Sequence, residues 1–338
     1  MKYLVTGGAG YIGAPLVDHL LGQGHDLICL DRFFFGRESL SKLIGNPKLT
    51  LVKDDIRWFE PSILEGVDYV IDLASLSNDP SGELNPKATF DINHRGRVRV
   101  AKLSKEYGVK RYILASTCSV YGFNDQILTE ESKTNALTTY AKAAVKSEED
   151  IIPMGDDDFI VIVPRFATVY GLAPRMRFDL AINGMILGLQ KTGKLKVMRD
   201  GTQWRPFIHV RDVVKAYELL TESDPDEVNR QIINVGSNEQ NYQILPLAQL
   251  LGKSFGKPYE VDWYGDVDRR SYRVNFDKIS RLGFKAEYTP EFATKEICEA
   301  LENGQVSDDI KTRTVEWYKH LLSVDESIND VMIGGRLL

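Results

Sequence analysis

The stretch KYLVTGGAGYIG, residues 2–13, decides the fold of this chain. A short apolar run leads into three glycines, Gly7, Gly10 and Gly13, which are spaced three residues apart. After a buried strand the chain must turn sharply into a helix whose first N–H groups point at a pyrophosphate, and only glycine allows that approach. We expect Gly7 to make the turn, Gly10 to admit phosphate to the backbone and Gly13 to let the helix press against the sheet.

The segments that follow favour a dinucleotide site over an ordinary strand-to-helix turn. Residues Tyr11 to Leu21 predict an amphipathic helix, and Leu27 to Leu30 predict a second strand that ends at Asp31. A carboxylate there accepts hydrogen bonds from the adenosine ribose hydroxyls and repels a 2′-phosphate, so we predict NAD and not NADP as the cofactor. Arg32 is the opposing observation, because an arginine could meet a phosphate instead. The predicted NAD site at this end comprises Gly7, Gly10, Tyr11, Ile12, Gly13, Asp31 and Arg32.

The composition excludes several classes of protein. The chain has 338 residues, 43% of them hydrophobic, which suffices for one large α/β unit and a smaller lobe. A net charge of −6 without a basic cluster argues against a nucleic-acid partner. Three scattered cysteines, and no Cys or His pair with metal-ligand spacing, predict a reducing cytoplasmic setting and no metal site. The N-terminal apolar run is too short to cross a membrane, so we expect a soluble protein without a membrane partner.

The order of the predicted elements indicates the fold class. Short β-rich runs alternate with amphipathic stretches up to about residue 165, which predicts an α/β fold with a Rossmann-like, doubly wound parallel sheet. The later strands are expected at Leu49 to Val52, Tyr69 to Leu73, Arg111 to Ala115 and Phe159 to Val163, and the long helices at Thr89 to Tyr107 and Thr139 to Ile152.

These elements suggest two parts of unequal size. We expect an NAD-binding Rossmann domain over residues 1–165, to which the chain returns near 205–235, where Ile232 to Val235 predict a strand. Residues 166–338 are expected to form mainly a smaller C-terminal substrate-binding lobe. The final segment, 317–338, has a helical start and a Gly334-Gly335 break, and the sequence assigns it no role.

Two further places at the carboxyl edge of the predicted sheet suit the cofactor. Asp55 and Ile56 follow strand three, where a carboxylate and an apolar side chain can meet the amino group and the ring face of adenine. A strand end with a helix cap explains Asp55 equally well. Small residues after strand four would keep the edge of the sheet open, and Asn93 could support the same loop. The residues predicted here are Asp55, Ile56, Leu73, Ala74, Ser75 and Asn93.

Later motifs occur in an order that resembles one known family. Residues 115–122 read ASTCSVYG and are followed by Tyr140, while residues 164–165 read PR, 169–171 read VYG and 205–213 read RPFIHVRDV. Together with the glycine motif and Asp31, these resemble the extended short-chain dehydrogenase/reductase superfamily, in its NAD-dependent nucleotide-sugar epimerase/dehydratase branch. The resemblance covers nearly the whole chain. It implies an enzyme that binds NAD and a nucleoside-diphosphate sugar.

The resemblance implies a catalytic tyrosine, and a departure from the family pattern stands next to it. In the family a tyrosine moves the proton of a sugar hydroxyl, a serine or threonine after strand five bonds the same oxygen, and a lysine four residues after the tyrosine favours the phenolate. By resemblance Tyr140 is the base and Thr117 the hydroxyl, with Ser116 in the cofactor site. The lysine position holds Ala144, and the nearby lysines stand two and six residues from Tyr140, off its face of a helix.

Three explanations of Ala144 stay open. They are a natural variant that tunes Tyr140 by other means, an engineered lysine-to-alanine change, and a protein that binds without fast turnover. We favour the natural variant, because the positive nicotinamide ring of bound NAD itself lowers the pKa of a neighbouring tyrosine.

A second departure bears on the type of reaction. The 4,6-dehydratases of the family carry an Asp-Glu pair directly after the threonine as acid and base, whereas this chain has Cys118 and Ser119. Dehydration is therefore not expected. The leading hypothesis is oxidation at C4 of the sugar with epimerisation, and the nearest alternative is a nucleotide-sugar 4-dehydrogenase or ketoreductase. A nucleotide-sugar binding protein, impaired because Ala144 replaces the lysine, is the alternative from another class.

Diphosphate recognition is expected from arginines, because a planar guanidinium can bind phosphate with two hydrogen bonds. By resemblance Arg205 and one of Arg270 and Arg273 stand at phosphate positions, while Thr168 replaces an asparagine. The predicted substrate site comprises Ser77, Asn78, Thr117, Cys118, Ser119, Thr168, Arg175, Arg177, Arg205, Arg270 and Arg273. His209 is expected to be structural. The resemblance also implies a homodimer in which the two long helices of each chain form a four-helix interface.

Overall fold

The computed structural model describes residues 1–266 and 270–332. Its strands are β1 (Lys2–Thr6), β2 (Asp26–Asp31), β3 (Leu49–Lys53), β4 (Tyr69–Asp72), β5 (Arg111–Leu114), β6 (Ser116–Thr117), β7 (Phe123–Leu128), β8 (Ile160–Phe166), β9 (Thr168–Tyr170), β10 (Lys194–Met198), β11 (Trp204–His209), β12 (Gln231–Val235), β13 (Asn241–Gln243), β14 (Glu260–Tyr264) and β15 (Ser271–Val274). Its α-helices are α1 (Gly13–Gly22), α2 (Asp79–Leu84), α3 (Pro86–Phe90), α4 (Arg97–Glu106), α5 (Thr139–Ile151), α6 (Ala181–Thr192), α7 (Val210–Glu222), α8 (Pro225–Val228), α9 (Ile244–Phe255), α10 (Asp277–Arg281), α11 (Pro290–Glu302) and α12 (Thr314–Val331).

The largest sheet has the strand order β12-β8-β5-β4-β1-β2-β3, with β6 paired to β8. All of its pairings are parallel. The chain builds outward from β1 to β3 and then crosses to the other side of β1 with β4, so the order reverses between β1 and β4. The predicted Rossmann-like, doubly wound sheet is confirmed. In such sheets ligands bind at the carboxyl ends of the strands beside this reversal.

Alternating side chains on the central strands explain why the sheet is buried on both faces. Val5 and Ile71 belong to the apolar cluster on one face, and their neighbours Leu4 and Val70 belong to the cluster on the other. Successive strand residues point to opposite faces, so a strand covered on both sides must be apolar at nearly every position. This is why the predicted strands read as continuous apolar runs.

The segment predicted as one helix from Thr89 to Tyr107 is divided in the structure. It consists of α3, a π-helical turn over Asp91–Gly96, and α4. Within the turn the Asn93 side chain bonds the backbone of Leu76 in both directions, at 2.8 and 3.1 Å. A π turn rotates the residues that follow it relative to a continuous α-helix. The apolar periodicity could not reveal that change.

The remaining strands form three smaller sheets, which together with α6, α9 and α11 we call the smaller lobe. Strand β11 pairs with β9 and β13, β10 pairs with β14, and β7 pairs with β15. The buried faces of α6, α9 and α11 form a separate apolar cluster beside them. Of the segment 205–235, where we expected the chain to return, β12 joins the large sheet and α7 packs on α1, whereas β11 belongs to the smaller lobe.

Helix α12 packs against two segments that follow strands of the large sheet. The Tyr318 ring lies against Phe34 and Phe35, which follow β2, and the Trp317 indole N–H donates to the Phe34 carbonyl at 2.7 Å. Helix α12 also contacts α2, which follows β4. The Gly334-Gly335 break lies outside the described residues. None of the helices in the described part of the chain is long and apolar enough to cross a membrane.

Candidate active site

A cavity of about 1150 Å³ opens at the carboxyl edge of the large sheet and continues into the smaller lobe. It brings together nearly all of the predicted site residues. Those that line it are Gly7, Gly10, Tyr11, Ile12, Gly13, Asp31, Arg32, Asp55, Ile56, Leu73, Ala74, Ser75, Ser77, Asn78, Ser116, Thr117, Ser119, Tyr140, Thr168, Arg175, Arg177, Arg205 and Arg270. Asn93, Cys118 and Arg273 are not among the residues that line it.

The glycine loop has the geometry that its spacing predicts. Gly7 adopts φ +67°, in the left-handed region that glycine enters without strain. A Cβ at Gly13 would stand 2.3 Å from the Gly7 carbonyl oxygen, so only glycine lets α1 approach the loop this closely. No side chain caps the N-terminus of α1, and its first turn carries no acidic residue. The positive end of the helix dipole therefore lies beside the loop without a capping side chain, which suits a phosphate.

Asp31 ends β2 and lines the cavity, where its carboxylate can meet a ligand. Its two carboxylate oxygens accept hydrogen bonds from the backbone N–H groups of Ala9, at 3.0 Å, and Phe33, at 2.7 Å. Burial raises the pKa of Asp31, and these two hydrogen bonds oppose the rise. Because a carboxylate oxygen accepts more than one bond, Asp31 can still bind ribose hydroxyls.

The neighbouring acidic residue, Asp55, is occupied by two arginines. Arg32 donates to it at 2.9 Å, and Arg57 donates both from its guanidinium and from its backbone N–H. Asp55 therefore holds the turn after β3. No described helix begins at Asp55, so it is not the helix cap that the sequence allowed, and its role toward adenine stays a prediction. Arg32 also stacks on Phe34, 4.6 Å from the ring centroid. Its guanidinium is engaged with protein groups, which removes the main argument for a 2′-phosphate.

The end of β4 keeps the centre of the cavity open. The Thr6 hydroxyl oxygen accepts hydrogen bonds from the N–H groups of Leu73, at 3.1 Å, and Ala74, at 3.0 Å. Ser75 lines the cavity, and its buried hydroxyl has no hydrogen-bond partner among the described residues. An unpartnered buried hydroxyl in a cleft with a glycine loop and a ribose-binding carboxylate fits a dinucleotide. Asn93 supports this loop from outside the cavity.

Tyr140 and Thr117 both line the cavity. Tyr140 is the second residue of α5, whose N-terminus is capped by Thr138, and Thr117 ends β6. Burial raises the pKa of Tyr140, while Arg97 and Thr117 act in the opposite direction. The ligand-free tyrosine therefore favours its protonated form and has to lose that proton before it can act as a base.

No lysine of α5 assists Tyr140. Ala144, one turn further along, is buried in the apolar cluster behind the helix. Lys142 is exposed, and Lys146 forms an ion pair with Asp150 at 2.8 Å on the outer side of the helix. The helix geometry thus keeps both lysines away from the cavity.

The residues after Thr117 do not form an acid and base pair. Cys118 is buried, its thiol donates to the Arg165 carbonyl at 3.3 Å, and burial raises its pKa. Ser119 lines the cavity but carries only a hydroxyl. Behind them the buried Glu148 carboxylate forms an ion pair with Arg165 at 2.6 Å and accepts the Ser116 hydroxyl hydrogen bond. Ser116 is therefore held by the core as well as facing the cavity.

The arginines of the smaller lobe divide into two groups. Arg177 forms an ion pair with Asp179 at 2.7 Å and donates a hydrogen bond to the Ser77 hydroxyl. Asp179 in turn accepts a hydrogen bond from Asn78, so these contacts hold the loop after β4 in place. Arg175 stacks on Phe35 near Asp31, and burial lowers its pKa to about 10. Arg177 therefore lies at the loop after β4, and Arg175 lies near Asp31.

Arg205 and Arg270 form the second group, on the wall of the cavity opposite the glycine loop. Arg205 donates to the Arg270 carbonyl and lies over Tyr272, and Arg270 pairs with Asp79. Arg273 stands on the far side of β15, where it donates to the Asp125 carbonyl and lies over Trp204. Of the two candidates left open, Arg270 is therefore the one in the cavity.

The structure adds residues that the sequence did not single out. The cavity is also lined by Arg97, Lys191, Lys196, Met198, Tyr264, Arg313 and Tyr318. Most lie in the smaller lobe or on α12, where no ordered motif marks them. His209 is buried and bonds Glu296 at 2.6 Å, which is a structural role. Across residues 1–266 and 270–332 no group of three or more His, Cys, Asp and Glu is arranged to hold a metal ion.

Comparison with known families identifies the class of this protein. A model described as the NAD dependent epimerase/dehydratase family matches residues 3–236. The chain belongs to this family. The matched residues include the glycine motif, Asp31, Thr117 and Tyr140. It confirms the family that the motifs predicted and NAD as the cofactor.

Individual family members agree with this assignment. UDP-glucuronic acid decarboxylase 1 of Arabidopsis thaliana is 30% identical over 304 residues, which is 88% of this chain and 68% of that protein. UDP-glucuronate 4-epimerase of Thermodesulfobacterium geofontis (strain OPF15) is 26% identical over 340 residues, 96% of this chain and 98% of that protein. The solved structure of MoeE5 in complex with UDP-glucose and NAD has a TM-score of 0.77 at 25% identity, covering 90% of this chain and 100% of that one. The chain spans 60% to 68% of the length of the decarboxylase 1 relatives from plant, frog and fish.

Proposed function

We propose that this family member is an NAD-dependent 4-epimerase of UDP-sugars. One arrangement carries the proposal: Thr117 and Tyr140 line the same cavity as the glycine loop and Asp31. A proton acceptor for a sugar hydroxyl thus shares a cleft with a dinucleotide site. The relative named UDP-glucuronate 4-epimerase, which matches this chain over nearly its whole length, supports the reaction and the nucleotide.

The chain's own residues handle the proton. When bound, NAD supplies a reversible hydride acceptor. As a phenolate, Tyr140 takes the proton of the C4 hydroxyl as the ketone forms, and the Thr117 hydroxyl holds the same oxygen in line. For epimerisation Tyr140 must return the proton after the keto sugar has turned its other face, and a cavity of about 1150 Å³ leaves room for that turn.

The cations of the smaller lobe suit a diphosphate. Arg205 and Arg270 line the cavity, as do Lys191 and Lys196, although the whole chain has a net charge of −6. Arginine binds phosphate oxygens through two parallel hydrogen bonds, and lysine adds a point charge. We therefore assign the diphosphate to Arg205 and Arg270 and the nucleoside to the neighbouring end of α6.

The alternatives predict different products. A dehydratase needs an acid and a base beside the threonine, and Cys118 and Ser119 supply neither. A 4-dehydrogenase or ketoreductase would release a keto or reduced sugar and exchange its cofactor each cycle. A decarboxylase would release carbon dioxide and leave a pentose. A binding protein would leave every sugar unchanged.

The test combines ligand analysis with product analysis. Purified protein is denatured to identify released NAD by mass spectrometry, and intact protein is then incubated with UDP-glucose and UDP-glucuronic acid. We expect bound NAD and a new C4 epimer by proton NMR, with no product from the Tyr140→Phe variant. Bound NAD with both sugars unchanged, or with a ketone or pentose as the product, would contradict the 4-epimerase proposal.

We further propose a homodimer and a cytoplasmic setting. The outward faces of α4 and α5 carry charged side chains, including Lys102, Lys142 and Lys146, so an interface built on them would be polar. Light scattering at micromolar concentration should give twice the chain mass. A monomeric mass would remove the dimer. The three cysteines are all free thiols, which supports a reducing compartment.

A further inference from the structure

The wall beside Tyr140 contains a buried cation that belongs to a different helix. Arg97 is the first residue of α4 and is only 4% exposed, and it lines the cavity together with Thr117 and Tyr140. A charged side chain is rarely buried unless the protein uses or pairs it. Its sequence neighbours, RGRVRV at 95–100, suggest an ordinary basic surface helix.

Arg97 is fixed by backbone groups at the two strand ends nearest the catalytic hydroxyls. One guanidinium nitrogen donates to the Ala115 carbonyl at 2.8 Å, and the other donates to the Asp72 carbonyl at 3.1 Å. Ala115 directly precedes the strand that ends at Thr117. The π-helical turn over Asp91–Gly96 immediately precedes Arg97 and sets the direction in which α4 starts.

An acidic neighbour stands beside Arg97. The buried Nε of Arg97 has no hydrogen-bond partner among the described residues and stands 3.9 Å from the nearer Asp72 carboxylate oxygen. That carboxylate also accepts hydrogen bonds from the hydroxyls of Thr6 and Tyr112, each at 2.5 Å. The pair is therefore loose, and because Arg97 lines the cavity, its field can act on the other groups there.

We infer that Arg97 supplies the positive charge that the family takes from the missing lysine, and so assists Tyr140 in giving up and taking back its proton. The inference rests on the proposed function, because it assumes that Tyr140 transfers the proton. Arg97 acts through Tyr140 and is a positioning residue, not a catalytic one. The charge of Arg97 would explain how Tyr140 can lose its proton although Ala144, and not a lysine, stands one turn after it.

The other groups around Tyr140 do not replace this charge. Burial raises the pKa of Tyr140, and Arg97 opposes that rise more strongly than Thr117 or Arg177 does. Asp79, on α2, acts in the same direction as burial. Tyr217, on α7, faces the same cluster with a buried hydroxyl that has no hydrogen-bond partner, and Asp72 completes it from β4. Arg97 is thus a buried cation that lines the same cavity as Tyr140 and Thr117.

A matched arginine separates this role from a structural one. Arg111, on β5, is also buried, and its guanidinium likewise donates to backbone carbonyls, those of Leu220, Thr221 and Ser223. It does not line the cavity. Loss of Arg111 should reduce stability without changing Tyr140, whereas loss of Arg97 should do both.

The experiment follows the Tyr140 phenol directly. Protein labelled with [¹³Cζ]tyrosine is titrated by NMR with NAD bound, and the signal of Tyr140 among the 15 tyrosines is assigned by its loss in Tyr140→Phe. We expect Arg97→Gln to raise the midpoint by about one unit, and Arg97→Gln with Ala144→Lys to restore it. Arg111→Gln should leave the midpoint unchanged. A folded Arg97→Gln protein with an unchanged Tyr140 midpoint would overturn the inference.

A second variant keeps the test decisive if Arg97→Gln does not fold. With the charge already present, Ala144→Lys alone should change the epimerisation rate at neutral pH less than about threefold, and a gain of a hundredfold would show that no cation acted there. Where activity is measurable, Arg97→Gln should move the ascending limb of the pH profile to higher pH by the same unit and slow the reaction about tenfold at neutral pH. If no sugar reacts but the NMR midpoint moves, the proposed function fails and the electrostatic role of Arg97 stands.

Discussion

The two ends of the cavity are built in different ways. At the adenosine end the glycine loop and Asp31 come from β1, α1 and β2, within 31 residues of the N-terminus, and the Ala9 N–H bonds Asp31 directly. At the tyrosine end Thr117, Tyr140 and Arg97 come from three separate elements. The first end depends on backbone geometry, which a local motif specifies. The second depends on charge and hydroxyls that different parts of the chain can supply, so one supplier can replace another.

The largest effect is expected from a variant that alters only the tyrosine end of the cavity. Tyr140→Phe removes the proton acceptor and should reduce turnover about 10³-fold, because general acid-base groups contribute on that scale. Bound NAD should remain at the level of the unsubstituted protein, since the variant leaves the glycine loop and Asp31 unchanged. Rates and released NAD are measured on the same preparation. Turnover that survives within tenfold would show that Tyr140 is not the base.

The next variant breaks the adenosine end alone. In Gly13→Ala the new methyl group would stand 2.3 Å from the Gly7 carbonyl oxygen, which must move apart from α1. Overpacking of this kind costs about 1–3 kcal/mol, so we expect NAD to bind up to about 10²-fold more weakly by calorimetry. Gly22→Ala is the control, because its Cβ would meet nothing within 4 Å at the other end of the same helix. Equal losses from both variants would contradict the role of the loop.

A smaller change sharpens the choice of cofactor. Asp31→Asn removes a charged acceptor for the ribose hydroxyls and should narrow the preference for NAD over NADP about 30-fold. Burial raises the pKa of Asp31 in the ligand-free protein, so NAD binding should begin to weaken on acidification at a pH above the ordinary Asp range. Affinities for both dinucleotides are measured across pH. A preference that does not change would place the discrimination elsewhere, with Arg32 the next residue to test.

The smallest effect concerns the substrate arginines. Arg205→Gln should raise the KM for the UDP-sugar about tenfold with little change in bound NAD, because it removes charged donors to phosphate. Arg273→Gln is the matched control, since Arg273 lies outside the cavity on β15. Steady-state kinetics of the two variants side by side decide the point. A larger rise in KM for Arg273→Gln would reverse the assignment.

Much of the fold was predictable because local patterns specify it. The strands of the large sheet begin and end within a few residues of the predicted bounds, since their apolar runs are short and bounded by turns. The segment from Thr89 to Tyr107 was less predictable, because the π turn at Asp91–Gly96 depends on the bonds from Asn93 to another loop.

The candidate site shows the same division. The glycines and Asp31 are fixed by spacing, but Cys118 and Arg273 face away from the cavity while their neighbours Ser119 and Arg270 face it. Sequence alone gave no register for these short elements. Arg97 was missed because a basic residue in a basic run indicates a solvated surface, and only tertiary packing buries it.

The central claim is that this chain epimerises a UDP-sugar at C4 with its hydride kept in the site. The most direct measurement uses UDP-glucuronic acid deuterated at C4 and follows the product by NMR and mass spectrometry. The account predicts a C4 epimer that retains the deuterium, with no exchange when unlabelled NADH is added. An epimer that has lost the deuterium, or the absence of any C4 epimer while NAD stays bound, would contradict it.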